Sequence, residues 1–258
     1  MTTQQPLDNI PILLFLLIFV LVNVAAYEIG YRSGLWAQAR GQKGEEGPTG
    51  IVVGSVLALM AFLLAITVGM ASDRFDNRRG LVLAEANAIA TTYLRAGYLS
   101  EPASSDSREL LAEYVPLRIA TGEGLEEAIQ RSEEIQHDLW VIAEDVARTQ
   151  GSDVVALYIE SLNEVIDLHE SRIVAGVYAR VPPTILWLLI GGIILSLGMV
   201  GYNAGLDKKR SPILAVVLIL SLGAVVWLVV DLDRPSDGLI QTSQQPLIDL
   251  QQTIEALP

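Results

Sequence analysis

The chain has 258 residues, of which 51% are hydrophobic and only 6% aromatic, and the apolar residues are clustered rather than spread. A net charge of -13 argues against extended contact with nucleic acid phosphates. Cysteine is absent and histidine is limited to His137 and His169, which excludes disulfides, thiolate chemistry and a conventional zinc site on ligand supply alone.

In chain order, the first apolar run extends from Ile10 to about Tyr27. Its leader, MTTQQPLDN, carries no Lys or Arg, so it reads as a retained membrane span rather than a cleaved signal. A second run, Ile51 to Ala71, has Ala61, Ala65 and Gly69 at four-residue spacing, a pattern that lets helices approach closely. The third, about Thr184 to Ala204, is rich in glycine (Gly191, Gly192, Gly198, Gly201, Gly205). The fourth runs from Pro212 to Val230. None contains an internal charge, which a soluble core helix of this length would show on one face. Asn23 and Thr67 are the main strongly polar side chains of the first two spans, each expected to bond a neighbouring helix rather than a permeant species.

The loop after the first span carries Arg32, Arg40 and Lys43; that after the third carries Lys208, Lys209 and Arg210. The positive-inside bias places both in the cytoplasm, and both termini and the large central insert outside. Arg74, Arg78 and Arg79 oppose this, interspersed with Asp73 and Asp76 at the start of a long domain. The segment GQKGEEGPTG has too few Gly triplets for a collagen helix and reads as a flexible loop.

Residues 72–181 hold 20 Asp plus Glu and 10 Arg, with no Lys. Their punctuation predicts four helices. The first continues the second span to about Ala96. Ser104, Ser105 or Asp106 caps the second, which bends at Pro116 and ends by Gly122. The third runs from about Gly124 to Gln150. Ser152 or Asp153 caps the fourth, which leads to the third span near Pro182 and Pro183. The fold class is thus an all-α membrane protein: four transmembrane helices with a helical bundle inserted between the second and third. Its divisions are 1–71, 72–181, 182–230 and a tail, 231–258. The tail carries a short amphipathic helix from Pro246, with Leu247, Leu250, Ile254 and Leu257 on one side. Its Asp231 and Asp233 are expected near Arg74, Arg78 and Arg79 as a membrane-proximal charge cluster.

Helical phase places Glu85 on an apolar face with Val82, Ile89 and Tyr93, and His169 on one with Tyr158, Leu162, Ile166 and Ile173. Each lies roughly 20 Å from its neighbouring span if the helices run unbroken. Glu85 and His169 are therefore expected to meet as a buried polar pair, with Arg172 nearby, either to specify the bundle or to sense protons. Other constellations fail. Glu134 and His137 make a single Glu-x-x-His where a di-iron site needs two. Asp231, Asp233, Asp237 and Gly238 lack the glycine and closing glutamate of a calcium loop. Glu160, Glu164 and Asp167 form a solvated stripe. No phosphate loop, nucleophile elbow or cofactor motif is present, so neither catalysis nor a cofactor is expected.

The run SDRFDNRRGLVLAEANAIATTYLRA (72–96), with its Glu85-Ala86-Asn87 element, resembles a widespread bacterial family known as bestrophin-like. LNEVIDLHESR (162–172) and DLDRPSDGLIQTSQQPL (231–247) are similar to the same family. The resemblance implies a homo-oligomeric ion channel of the bacterial inner membrane, lined by the second span, where Ser55, Phe62, Thr67 and Gly69 are the permeation candidates. The bestrophin neck of stacked phenylalanines is represented here by Phe62 alone, and an acidic vestibule favours cations over chloride. The lipid bilayer, inorganic ions and further copies of the chain are the expected partners. The alternative is a non-conducting envelope scaffold, because pathways generally need polar residues inside the spans.

Overall fold

The computed structural model describes residues 10–41, 48–120, 124–234 and 238–256. The collagen-like triplets, Gly122, Asp237 and Leu257 discussed above lie wholly or partly outside them. No strand occurs among the described residues; the helices are α1 (Ile12–Ala39), α2 (Pro48–Ala96), α3 (Ala103–Ile119), α4 (Leu125–Gln150), α5 (Asp153–Ile173), α6 (Pro183–Leu206), α7 (Pro212–Asp233) and α8 (Gln245–Glu255). They form two units, one of residues 1–74 and 180–240, the other of residues 75–179 and 241–258.

In the first unit, α1, the first half of α2, α6 and α7 are long and apolar enough to cross a membrane. Leu13, Leu17, Leu21, Leu188, Leu195, Ile213 and Leu214 are all more than half exposed, a distribution that suits an apolar surrounding rather than water. The inner face carries Phe15, Phe19, Leu64, Leu189, Ile193, Leu197, Ile219 and Val226. Helices α1 and α6 run in parallel and nearly touch. A Cβ on Gly30 would sit 2.0 Å from the Gly198 carbonyl oxygen, one on Gly34 2.1 Å from that of Tyr202, one on Gly201 2.1 Å from that of Tyr27, and one on Gly205 2.2 Å from that of Tyr31. Of the glycine-rich third span, Gly198, Gly201 and Gly205 therefore serve packing within the chain, whereas Gly191 faces open space. Asn23 and Thr67 do not bond a neighbouring helix as expected. Like Ser196, they donate to the carbonyl one turn back on their own helix, which is always within reach: Asn23 to Phe19 O, Thr67 to Leu63 O and Ser196 to Gly192 O.

Helix α1 extends to Ala39, well beyond the predicted end at Tyr27, because its last turns keep an inward face: Gly30, Gly34 and Ala37 are buried. Helix α2 continues without a break from Pro48 to Ala96. The link into α6 is interrupted instead. A π-helical turn at Val174–Tyr178 follows α5, and Pro182 takes an extended conformation. Pro182 and Pro183 have no N–H to continue a helix. The Val181 N–H, left without a helical acceptor, donates to Asp233 Oδ1 at 2.7 Å.

The second unit comprises α2 from Phe75 onward, α3, α4, α5 and α8 around a core of Ile89, Leu111, Tyr114, Ile135, Leu139, Tyr158 and Leu162. Ser152 caps α5 through the Val155 N–H, and Gly124 begins α4 at φ 98°, a left-handed conformation that glycine adopts without strain. Helix α3 starts after Pro102, which offers no side-chain cap; Glu101 Oε2 accepts the Ser105 N–H at 3.3 Å, and Ser104, Ser105 and Asp106 all fall inside the first turns. Pro116 lies within α3. Helix α8 completes the core: Leu247 is fully buried and Ile254 nearly so, with Leu250 packed beside them. The insert thus takes a fifth helix from the chain's end.

Candidate functional site

Two places gather the residues that the sequence singles out. On α2, Ser55, Leu59, Phe62, Ile66, Gly69 and Asp73 recur at three- and four-residue spacing and are all exposed. Each lies within about 40° of one line along the helix, given 100° per residue. Thr67 is not among them. It is buried on another face, and its hydroxyl is satisfied 2.8 Å away by the carbonyl one turn back. The Ser55 hydroxyl also bonds back, to Ile51 O at 2.8 Å. A helix this bare on one side, with a carboxylate at its end, is suited to facing either water or another helix.

The second place is the interior of the bundle. Glu85, fully buried on α2, accepts from Arg118 Nε on α3 at 2.8 Å, while its other oxygen accepts from Arg172 Nη1 on α5. Arg172 reaches on to Gln244 Oε1 at 3.1 Å, just before α8, so one carboxylate ties together four segments of the unit. Helical phase pairs Glu85 with His169, but the structure does not: both carboxylate oxygens are occupied by guanidinium groups, whose planar donors match a carboxylate better than an imidazole does. His169 Nδ1 lies 3.2 Å from the Tyr114 hydroxyl, which accepts from Gln136 Nε2 at 2.9 Å. The hydroxyl proton is then available to Nδ1, leaving the ring proton on Nε2, which has no partner. Asn87, two residues beyond Glu85, faces outward. Arg118 is the residue that phase analysis missed. Its signal is its placement one turn after Tyr114 on the inner side of α3.

Burial, then the Arg118 and Arg172 charges, push His169 down to about 4. Burial also raises Tyr114. The unfolded chain takes up the histidine proton near pH 6.5, whereas the folded one resists it to about pH 4. Stability is therefore lost as pH falls through that window, by at most about 3 kcal/mol, and levels off below it. In His169→Gln, which shares every other titrating group, the loss between pH 6.5 and 4 is expected to shrink measurably in unfolding midpoints compared across pH. Identical pH profiles would remove His169 from the account.

Among the membrane-proximal charges, the two acids and Arg234 hold side-chain and backbone partners within the first unit. Asp233 pairs with Arg180 Nε at 2.9 Å, both nearly buried, besides capping Val181. Asp231 accepts the Leu239 and Ile240 N–H groups at 2.8 and 2.9 Å. Arg234 reaches Ile10 O at 2.6 Å, joining the end of α7 to the start of α1. Arg78 is buried, Arg79 exposed, and Arg74 donates to Met70 O. The acids of the tail hold the first unit's own backbone, because N–H groups left over by prolines and turns need acceptors that water does not supply there.

The architecture is that of known proteins. A variant of a bacterial bestrophin homologue from Klebsiella pneumoniae superimposes with a TM-score of 0.70 at 16% identity, covering 95% of each chain. Another variant of a Klebsiella pneumoniae bestrophin homologue gives 0.67 at 16% identity, covering 93% of this chain and 96% of that one. A solved structure described as a membrane protein gives 0.66 at 18% identity, with 95% and 96% covered. No curated protein sequence matches. The model of the Bestrophin-like domain, however, matches residues 18–247, nearly the whole chain, and on that match this multi-pass membrane protein belongs to the bestrophin-like family.

Proposed function

We propose that the protein is a homo-oligomeric ion channel, lined by α2 and favouring cations over chloride. One observation carries the reading: the exposed strip Ser55, Leu59, Phe62, Ile66, Gly69 and Asp73, which supplies a narrow apolar lining with a carboxylate at one end. Family membership supports conduction, and the excess of acids in residues 72–181 supports a vestibule that concentrates cations. The basic loops after α1 and α6 orient the chain with those loops in the cytoplasm and the insert outside the bacterial inner membrane. Arg210 bonds Glu28 at 2.7 Å, which is consistent with both loops lying on one side.

The test is current through purified protein in planar bilayers under a potassium chloride gradient. A reversal potential on the potassium side is expected. Asp73→Asn moves it toward zero, and Phe62→Ala raises the conductance. Reversal on the chloride side would overturn the selectivity. The alternative, a non-conducting scaffold, is favoured by Asn23, Thr67 and Ser196 all bonding to their own helices, which leaves the spans few polar groups for an ion. Absence of current under every gradient would decide for it.

A further inference from the structure

A cleft of about 520 Å³ opens at the C-terminal end of α1, lined by Arg32, Ser33, Trp36, Ala37, Arg40 and, from α6, Tyr202. From Ile12 to Arg32 is about 20 residues, and from Pro183 to Tyr202 nearly as many. At 1.5 Å per residue both are roughly 30 Å, the thickness of the hydrocarbon layer. The cleft thus lies at headgroup depth.

Its chemistry is that of an anion site. Arg40 stacks on the exposed Trp36 ring at 3.5 Å, which fixes the guanidinium plane, and it has no carboxylate partner among the described residues. Arg32 contributes only Nε to Glu28, at 3.0 Å, and Glu28 is shared with Arg210. The Ser33 hydroxyl is engaged with Ile29 O, so the two guanidinium groups remain as donors. Each presents the planar pair of N–H groups that matches a phosphate. Lys208 and Lys209, in the exposed turn after α6, add to the positive potential, and Asp207 is the nearest opposing charge in that turn.

The surface leading to the cleft says which phosphate. Val22, Ala25 and Ile29 precede Arg32, Ser33, Trp36 and Arg40 along one exposed side of α1, with Ile29 66% exposed. An acyl chain can lie along the apolar part while its phosphate meets the arginines, and a free anion gains nothing from that part. An exposed tryptophan at this depth is the interfacial anchor expected beside a lipid. We propose that this cleft is a binding site for one anionic phospholipid, its headgroup phosphate held between Arg32 and Arg40 against Trp36.

Native mass spectrometry of the full chain, titrated with phosphatidylglycerol or phosphatidylcholine in detergent, reads occupancy directly and is indifferent to whether the protein conducts. The parent is expected to retain one phosphatidylglycerol per chain in preference to phosphatidylcholine. Arg32→Gln with Arg40→Gln lowers that affinity by about thirtyfold. Lys208→Gln with Lys209→Gln removes the same charge and lowers it by less than about threefold. If the first double variant fails to fold, Arg40→Gln alone carries the test, because its side chain is exposed. Equal losses in the two double variants would reduce the effect to diffuse attraction and overturn the site. Displacement of the lipid by millimolar inorganic phosphate would overturn the lipid assignment, as would equal retention of phosphatidylcholine.

Discussion

Glu85→Gln is expected to be the most destabilising conservative change in the helical bundle. Glu85 has no exposed surface, and its partners Arg118 and Arg172 have side chains only 5% and 16% exposed. Glutamine keeps the shape but removes the charge, leaving two guanidinium groups facing each other out of water. Breaking a buried ion pair by removing one partner costs about 3–5 kcal/mol, because the remaining charge is uncompensated. Thermal unfolding in detergent should show a midpoint lowered by on the order of 10 °C. A triple variant with apolar residues of similar volume at positions 85, 118 and 172 should recover much of the loss, since well-packed hydrophobic replacements of buried ionic groups are often neutral. A Glu85→Gln protein that melts with the parent would show that Glu85 is not the counter-ion of both arginines.

The second large effect is expected at the α1–α6 contact. In Gly201→Ala the new methyl group would sit 2.1 Å from the Tyr27 carbonyl oxygen, 2.9 Å from its carbonyl carbon and 3.0 Å from the Tyr31 nitrogen. These are backbone atoms of a helix, so no rotamer change relieves the clash. The helices must separate, and Gly30, Gly34 and Gly205, in equally close contact, separate with them. Overpacking of this kind costs about 1–3 kcal/mol where side chains can yield, and more where they cannot. The measurable outcome is a sharp fall in monodisperse protein after solubilisation. Gly191→Ala, on the same helix with nothing within 4 Å, should behave as the parent. If the two variants are indistinguishable, the close approach of α1 and α6 does not hold the unit together.

Glu85 and His169 mark where sequence reasoning reaches and where it stops. Each interrupts an apolar stripe of helical period, and periodicity is local, so their place on inward faces can be read from the chain. Their partners cannot. Arg118 sits on a separate helix whose rotation depends on how it packs, and one carboxylate has room for two guanidinium groups but no reason to prefer an imidazole. Asp233 teaches the same lesson. Its partner Arg180 lies 53 residues earlier and across a proline break, a pairing that no local pattern in the chain announces.

What the sequence by itself determined is the set of helices. Four charge-free apolar runs, the unbroken pattern from Ile51 to Ala96, the start at Gly124 and the stop at Gly151 all act over a turn or two, the range of backbone hydrogen bonding and hydrophobic transfer. The composition likewise determined which chemistries are absent, since no fold supplies a cysteine the chain lacks. Only the tertiary structure decided which glycines face a neighbour and which face open space. It alone turned Thr67 inward and Phe62 outward, seated Leu247 and Ile254 of α8 in the core of a bundle that begins at Phe75, and brought Arg118 to Glu85. Those choices depend on contacts between residues far apart in sequence, whose energies exist only once the helices have met.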